Sequence, residues 1–505
     1  MRNLRPRKTY AVFLAIVVFA AILSYVYSLP PSSDVIPSTL SISPIYEVTA
    51  TSGSAAAIQS AINNVISHGG GTVYVPAGDW RVDQQPVDGY GNGGAISIDL
   101  ENLPAGAWLN ITGSYTNTTV IQQNGLALYN VPSCILRSYA CNDNNLTGPI
   151  CTFSVIGSPE ESGNLNNYKS ENRHIRISGF TILGDVIQEP TLGENPQMYD
   201  NDGIVLSWVD GFLIDHCAID SNTGSSISSS ASKGVISNCD FSALYKVIHG
   251  GIWNYGVQVS GNFQYYISSE YGTPTWIQNI SQVWGLYDWQ GITLKYTTIP
   301  ANVNTGTMPW PVYTTSDISF TAGPVYIESS TFNWIRHCAT SSGFGYFVFR
   351  FNTCYNGTVG FPFVDEHGGG EWSLSAVAYA SRGEEVYNNT LYGTAPGTGM
   401  YGIDDTGGSG LIYNNTIKNV AIGIYLQNRN YNNGDPVDPE YINDCWIWNN
   451  VFNNVGTALS VTSNDGITTG VNYFCDSCGG TVTPTAPAPP PSGYTPYVYP
   501  HPLTQ

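Results

Sequence analysis

The chain has 505 residues and a formal net charge of −20, because it carries 37 acidic residues and only 17 basic ones. So few basic residues cannot displace the counterions of phosphates, which excludes nucleic acid as a partner. The same acidity repels polyanionic substrates unless a cation such as Ca²⁺ intervenes. A chain of this length forms several domains or one long solenoid.

The first 29 residues predict export. Four basic residues precede residues 11–29, an uncharged run close to the length that spans a bilayer. Basic residues before the run and an acidic body after it place the body outside the cytoplasm. No small-x-small site precedes Pro30-Pro31, so the sequence favours an uncleaved transmembrane anchor over a cleaved signal peptide. Residues 30–54 are a linker rich in proline, serine and threonine.

Asparagine and cysteine usage agrees with a cell-surface glycoprotein. Seven Asn-x-Ser/Thr sequons occur, at Asn110, Asn117, Asn145, Asn279, Asn356, Asn388 and Asn414. Their use depends on the host. Ten cysteines are compatible with disulfides in an oxidising compartment. The Cys475–Cys478 pair lacks a second pair or histidines at metal spacing, so it does not predict zinc.

Residues 57–82 predict a short helix followed by two strands. Apolar residues recur at helical spacing from Ala57 to Val65, so one face of the helix is apolar. A glycine turn at 69–71 leads into a strand at Thr72–Val75, and Pro76-Ala77-Gly78 separates it from a second strand at Asp79–Val82. So small a helix needs a larger body to cover.

This helix–GGGTVYVPAG passage resembles the N-terminal cap of pectin-lyase-like right-handed parallel β-helix proteins. The resemblance implies an all-β fold for residues 55–480, a single-stranded right-handed parallel β-helix with an N-terminal capping helix. The activity that the resemblance implies is polysaccharide cleavage, by a lyase or a glycoside hydrolase. The catalytic motifs of single families are incomplete here. Leu213–His216 resembles part of the pectate lyase WIDH element, and Asn201–Gly203 resembles the polygalacturonase NTDG element without its threonine.

A repeat from about Thr72 onward supports the same fold. An apolar residue, four intervening residues and a second apolar residue recur along the chain. The pairs are Ile175…Phe180, Ile214…Ile219, Ile236…Phe241, Ile327…Phe332, Phe349…Cys354, Val386…Leu391, Ile412…Ile417 and Ile447…Phe452. Stacked coils would join these residues into one core, with Asn-Asn turns forming side-chain ladders. Cys217 and Cys239 are then stacked neighbours, bonded or simply packed. A β-sandwich is the alternative.

The longest interruption of the repeat, about 243–323, is an aromatic-rich insertion. Flat aromatic faces suit stacking against sugar rings. The candidate substrate-binding residues are Trp276, Trp284, Trp289 and Trp310. The alternative is that these rings pack the insertion onto the solenoid. Residues 257–263 form a further coil in either case.

Charged residues interrupt the repeat at one recurring place. The stretches VDEHGG and IDDTGG align residue for residue, which makes Asp365 and Asp404 neighbours in successive coils. Aligning IRHC with them puts Arg336 one coil earlier, and strand alternation puts His367 on the face of Asp365. We predict Asp365, His367, Asp404 and Arg336 as catalytic residues, with Asp365 and Asp404 as Ca²⁺ ligands.

The same alternation sends His337, Glu366 and Asp405 into the core, which is costly unless they are paired. Either the strands end at Asp365 and Asp404, or the core accepts these polar groups. An inert turn with aspartates capping backbone amides is the structural alternative.

The proline-rich tail, 481–505, either packs along the last coil through its tyrosines or extends to a partner. Taken together, the sequence predicts an exported, membrane-anchored, carbohydrate-active protein, a polysaccharide lyase or glycoside hydrolase. The alternative is a non-catalytic cell-surface β-helix with a structural or adhesive role.

Overall fold

A computed structural model gives the fold. It describes residues 46–505 except 83–93, 122–126, 138–150, 158–172, 185–201, 221–223, 231, 244–254, 261–287, 290–291, 294–323, 343–344, 358, 367–380, 382, 428–441, 443–444, 463–466, 477 and 479–487. The predicted anchor and linker up to residue 45 lie outside this range. Within it, no helix is long and apolar enough to cross a membrane.

One α-helix, α1 (Ala55–Ser67), stands before the first coil. The Ser54 side chain accepts a hydrogen bond from the Ala57 amide and caps its N-terminus. Its buried face consists of Ala55, Ile58, Ala61, Ile62 and Val65. These residues pack into the same core as the first strands. The predicted capping helix is confirmed, with Ala55 replacing Ala57 on the buried face.

Three parallel sheets, A, B and C, form the body of the described chain. Sheet A contains β1 (Glu47–Thr49), β2 (Gly71–Tyr74), β5 (Trp108–Thr112), β10 (His174–Ser178), β13 (Asp210–Asp215), β16 (Lys233–Ser237), β21 (Val325–Glu328), β24 (Phe347–Arg350), β27 (Glu384–Tyr387), β30 (Gly410–Tyr413), β33 (Cys445–Trp448) and β36 (Tyr473–Cys475). Sheet B contains β3 (Gly78–Arg81), β8 (Cys134–Arg137), β11 (Phe180–Leu183), β14 (Ala218–Asp220), β17 (Asp240–Ser242), β22 (Thr331–Asn333), β25 (Thr353–Tyr355), β28 (Thr390–Tyr392), β31 (Thr416–Lys418) and β34 (Val451–Asn453). Sheet C contains β4 (Gly94–Asp99), β9 (Cys151–Ile156), β12 (Asp202–Ser207), β15 (Ser225–Ser230), β18 (Tyr255–Ser260), β23 (His337–Ser342), β26 (Pro362–Glu366), β29 (Tyr401–Asp405), β32 (Ile422–Leu426) and β35 (Thr457–Val461).

Each complete coil visits sheets A, B and C in turn, so every strand pairs with its counterpart in the next coil. The predicted parallel β-helix is confirmed. Two antiparallel pairs lie outside the coils, β6 (Asn117–Ile121) with β7 (Ala127–Pro132), and β19 (Asp288–Trp289) with β20 (Ile292–Thr293). Strand β18 confirms the coil predicted within the 243–323 insertion.

The apolar pairs of the repeat are the two inward rows at the corner between sheets A and B. From Ile214…Ile219 to Ile447…Phe452, each residue pairs in register with its counterpart in the next coil. The first predicted pair is wrong by two residues. Ile177 and Ile182, rather than Ile175 and Phe180, pair with Ile214 and Ile219. All four residues are buried, so apolarity alone could not fix the register.

The corner between sheets A and B is built by an asparagine ladder. Its members are the buried residues Asn352, Asn389, Asn415 and Asn450. Each side-chain oxygen accepts a hydrogen bond from the backbone amide at the same position one coil earlier. Each side-chain amide donates to a backbone carbonyl across the corner. The predicted ladder is confirmed, and every rung is satisfied.

Cysteines occupy the ladder position in two earlier coils. Cys217 and Cys239 are buried thiols, and the Cys239 amide donates to Ser330, which stands at the same position in the next coil. The prediction that they stack is confirmed, and they are not bonded to each other. Cys475 and Cys478 form a disulfide.

The C-terminal tail crosses the outer face of sheet A. The Tyr494 hydroxyl donates to Glu385 at 2.6 Å, and Tyr499 stacks on Phe351 with ring centroids 3.6 Å apart. Arg350, fully buried, donates to the backbone carbonyl of Tyr497. Because these contacts lie on several coils, the tail is a strap across the sheet rather than an extension of the last coil.

A buried charge pair lies beneath this strap. Arg350 donates to Glu328 Oε2 through Nε at 2.9 Å and Nη2 at 2.7 Å. The other oxygen of Glu328 accepts the backbone amide of His501. Burial raises the pKa of Glu385 to about 8, although the Tyr494 hydroxyl and Arg350 oppose this shift.

Candidate functional site

One outward row of sheet C carries the predicted carboxylates. The residues in register along this row are Gln258, Thr340, Asp365, Asp404 and Tyr425. Asp365 and Asp404 are direct neighbours, as predicted. Tyr425, in the stretch Ile424–Gln427, continues the row in the next coil. Both carboxylates are buried, at 2% and 0% exposure, whereas Gln258 and Tyr425 on either side are half-buried. The acids therefore lie below the surface between two more open positions.

Arg336 does not belong to this row. Thr340, four residues later, pairs with Asp365, because β23 begins only at His337. The predicted alignment of Arg336 with the aspartates is therefore wrong. The Arg336 guanidinium lies 4.0 Å from the centroid of the Phe361 ring and 5.4 Å from that of Tyr255. Cation–π contacts of this kind hold the buried arginine beside the row.

His337 contacts Asp365 on the outer side of the sheet. The sequence predicted His337 to enter the core, but Cys338 and Ala339 are both core residues, which interrupts the strict alternation of the strand. Its Nδ1 donates to the carbonyl of Pro362 at 2.9 Å, and its Nε2 lies 3.4 Å from Asp365 Oδ2. The carbonyl fixes the proton on Nδ1, since a carbonyl only accepts. Nε2 and Asp365 are therefore placed to share a second proton.

Asp404 has a different partner. Both of its oxygens accept hydrogen bonds from Gln427 Nε2, at 3.0 and 2.8 Å. An amide donor favours the ionised carboxylate, because it bonds to the charged form. Gln427 follows the end of β32, the next strand along sheet C. The sequence gave no signal for this role of Gln427.

The next residue on each strand faces inward. Val364 and Ile403 point into the core, and Glu366 and Asp405, two residues later, follow the same alternation. Both are buried, at 1% and 0% exposure. The strands do not end at the outer aspartates. Of the two explanations given for this polarity, the core that accepts polar groups is correct.

A third acid, Glu384, joins Glu366 and Asp405, and we call these three the inner triad. Burial, followed by the neighbouring carboxyls of Glu384 and Asp405, raises the pKa of Glu366 well above its usual range. Burial also raises the pKa of Glu384, although hydrogen bonding to Ser341 opposes the shift. The raised pKa values favour the protonated forms of Glu366 and Glu384, which lowers the cost of burying these two acids beside Asp405.

The described residues do not provide a complete Ca²⁺ site. Ca²⁺ takes about six to eight oxygen ligands. No three His, Cys, Asp or Glu side chains in the described ranges are grouped to hold a metal. Gln427 amide hydrogens already occupy the oxygens of Asp404, and a cation there would have to displace them. The Ca²⁺ prediction therefore stays a prediction, and no reaction step below passes through a metal.

Several predicted residues lie outside the described ranges. These are His367, Trp276, Trp284 and Trp310. Trp289 lies in β19, and its side chain is not described. Their predicted roles in catalysis and sugar binding stay predictions.

No protein-family model matches the sequence. No curated protein matches it either. Among solved structures, the chain is similar to a double mutant of the tailspike protein of E. coli bacteriophage HK620 in complex with a pentasaccharide, with 14% identity and a TM-score of 0.42. That similarity covers 84% of this chain and 63% of the tailspike chain, so the chain spans less than two thirds of that protein. An alginate lyase from Paenibacillus sp. str. FPU-7 is similar at 11% identity and a TM-score of 0.40, over 82% of this chain and 98% of that one.

Proposed function

We propose that this protein is a carbohydrate-active enzyme that hydrolyses glycosidic bonds at Asp365 and Asp404. One observation carries the proposal: the two buried carboxylates are neighbours in register, and each has a different hydrogen-bond environment. Paired carboxylates with different environments are the arrangement that glycoside hydrolysis needs, one acting as acid and one as base or nucleophile.

The two environments assign the roles. Asp365 lies beside His337, with which it can exchange a proton, so we assign it the role of the general acid that protonates the leaving glycosidic oxygen. Asp404, kept ionised by Gln427, receives the proton of the attacking water as the general base or attacks the anomeric carbon itself. The distance of 3.4 Å between His337 and Asp365 is longer than an ordinary hydrogen bond, which is common before substrate binds.

Residues around the dyad supply sugar contacts. Tyr401 and Tyr425 are half-buried and meet edge to face, with ring centroids 5.5 Å apart. Aromatic rings beside carboxylates bind the apolar face of a sugar while polar groups bind its hydroxyls. A glycan approaching along the row would pass Tyr425 before it reaches Asp404.

We place this activity outside the cytoplasm. The uncharged run at residues 11–29 and the acidic body support an exported protein whose partners are a glycan and, through an uncleaved anchor, a membrane. Expression with and without residues 1–29, followed by membrane fractionation, tests this part. Full-length protein in the soluble fraction would contradict the anchor.

The activity test uses the full-length chain in micelles of a detergent without sugar. Neutral and acidic polysaccharides are incubated with and without a Ca²⁺ chelator, and both reducing ends and ultraviolet absorbance of unsaturated ends are measured. We expect reducing ends without unsaturation, lost in the double variant Asp365→Asn/Asp404→Asn. The control Asp79→Asn removes an ion pair with Arg137 on sheet B and should stay active.

Three results would overturn the proposal. Unsaturated ends would show a lyase, and the acid role of Asp365 and the base or nucleophile role of Asp404 would then be wrong. Activity abolished by the chelator would mean that a metal is essential. No cleavage on any polysaccharide, from a sample that melts cooperatively, would favour the alternative of a structural or adhesive β-helix.

A further inference from the structure

A second cluster of ordered polar side chains lies on the outer face of sheet A, away from the carboxylate row of sheet C. Arg176 on β10 donates to both oxygens of Asp215 on β13, through Nε at 2.8 Å and Nη2 at 2.7 Å. His216 Nδ1 lies 2.7 Å from Asp215 Oδ2. Asp215 is buried, whereas the side chains of Arg176 and His216 are 37% and 53% exposed. A buried carboxylate therefore orients two exposed side chains.

Each exposed side chain keeps unused hydrogen-bonding capacity. Because a carboxylate only accepts, His216 donates from Nδ1 and presents its other ring nitrogen, Nε2, outward as an acceptor in the neutral form. Arg176 uses Nε and Nη2 for Asp215, which leaves Nη1 as a donor. Among the described residues, neither His216 Nε2 nor Arg176 Nη1 has a hydrogen-bond partner. A donor and an acceptor on two side chains that bond to the same carboxylate suit the hydroxyls of a sugar, each of which donates and accepts.

An exposed aromatic ring completes the cluster. The Tyr115 hydroxyl is held by Ser178 at 2.7 Å, and the ring meets His216 edge to face with centroids 6.0 Å apart. Tyr115 is 49% exposed. An anchored ring with an exposed surface loses little entropy when it stacks on a ligand.

The cluster also lies just beyond the end of the tail strap. The tail's last turn, Pro502–Thr504, packs near β16, which is the neighbour of β13 in sheet A. The tail therefore packs on later strands of this sheet face, whereas Tyr115 and His216 lie exposed at earlier ones.

We propose that Arg176, His216 and Tyr115 form a binding site for an uncharged saccharide. The charges of Arg176 and Asp215 neutralise each other within the cluster, and the net charge of −20 disfavours an acidic glycan. Asp215 is a positioning residue that holds the other side chains. The site does not depend on catalysis at Asp365 and Asp404, and its test reads binding alone.

The test measures binding to the full-length protein by isothermal titration calorimetry, in the same detergent. The probes are cellohexaose, xylohexaose, mannohexaose and, as the acidic comparison, hexamannuronate. Every sample carries Asp404→Asn, so that cleavage does not consume the probe. Failure of the proposed catalytic function therefore leaves this test unaffected.

The variants are Tyr115→Ala and His216→Asn. Asparagine suits the latter because Asn238 holds the same turn position one coil later, with a φ of 53° at both residues. The control is Tyr392→Ala, which removes another exposed tyrosine, on sheet B. Melting temperatures verify that all variants fold.

We expect at least one neutral hexasaccharide to bind, about tenfold more weakly in Tyr115→Ala and about threefold more weakly in His216→Asn. The control should change affinity less than about twofold. The proposal is overturned if no neutral probe binds, if hexamannuronate binds best, or if the control weakens binding as much as Tyr115→Ala.

Discussion

Strands β26 and β29 each carry two acids in succession, and the two members of each pair have opposite environments. Asp365 and Asp404 face outward and contact His337 and Gln427. Glu366 and Asp405 face inward, where a third carboxyl joins them. The two acids of each strand therefore belong to different groups. The outward acids form the proposed catalytic dyad, and the inward acids belong to the structural inner triad. The neighbours that each carboxyl meets decide its role.

Burial favours the protonated forms of the inward glutamates Glu366 and Glu384. The side chain of Glu366 lies against Gly410, where a Cβ atom would come 2.8 Å from Oε2. The sheet opposite therefore has no side chain at this point, which leaves room for the carboxyl inside a narrow core. The triad replaces an apolar layer of the solenoid with three buried acids.

The largest effect expected is on catalysis at the outer dyad. Asp404→Asn keeps the shape of the side chain but removes its charge and basicity. We expect kcat to fall about 10²–10⁴-fold, the usual contribution of an acid or base, with little change in melting. Initial rates and thermal unfolding of one preparation check this. A rate within tenfold of that of the unchanged protein would contradict a catalytic role for Asp404.

A fully bonded inward group provides a contrast with the triad. Asn389→Ala removes a ladder rung and leaves the Asn352 amide and the Phe349 carbonyl without this partner. We expect a loss of about 2–4 kcal/mol, seen as a lower midpoint of urea unfolding, with kcat per folded molecule unchanged. Lower kcat at an unchanged midpoint would contradict the structural role. Asn454→Ala, at an exposed asparagine, is the control.

Alkaline pH should weaken the fold through the triad. Since the folded state raises the pKa values of Glu366 and Glu384, their contribution is complete below about 4.3, the unfolded value. It is lost as the pH rises toward the folded values. Each raised group costs up to about 1.4 kcal/mol per pH unit in this window. Glu384→Gln should flatten the fall in stability that begins above about pH 4.3.

Glu385 is the comparison for that experiment. It lies on the outer face of sheet A beneath the tail, and its pKa is raised to about 8. Glu385→Gln should therefore flatten the profile between about pH 4.3 and pH 8, whereas Glu384→Gln removes a member of the inner triad and tests its raised pKa separately. A profile of Glu384→Gln identical to that of the unchanged protein would contradict a raised pKa of Glu384.

A smaller effect is expected when the support of the dyad is removed. Gln427→Ala deletes both hydrogen bonds to Asp404 without touching its charge. The acidic limb of the pH–rate profile should move to higher pH, with kcat reduced about 3–10-fold at its optimum. Gln258→Ala, in the same row but distant from Asp404, should leave the profile in place. An unmoved acidic limb in Gln427→Ala would assign Gln427 a structural role only.

The sequence predicted the fold well and the site in part. The cap helix, the corner rows and the Asp365–Asp404 pairing were readable because apolar spacing and identical motifs report register directly. Arg336 was misplaced because a short motif alignment ignores where the strand begins. His337 and Gln427 were missed because their roles depend on a break in alternation and on a contact between coils. The raised pKa values of Glu366 and Glu384 depend on burial, and a sequence alone does not show which side chains are buried.

The most direct test compares Asp365→Asn with Glu366→Gln, isosteric changes at consecutive residues on opposite faces of β26. Initial rates and unfolding midpoints are measured for both between pH 5 and 9. We predict lost activity with an unchanged stability profile for Asp365→Asn, and retained activity with a flattened stability profile for Glu366→Gln. If both variants lose activity to the same degree, or if the two effects are exchanged, the separation into an outer dyad and an inner triad is wrong.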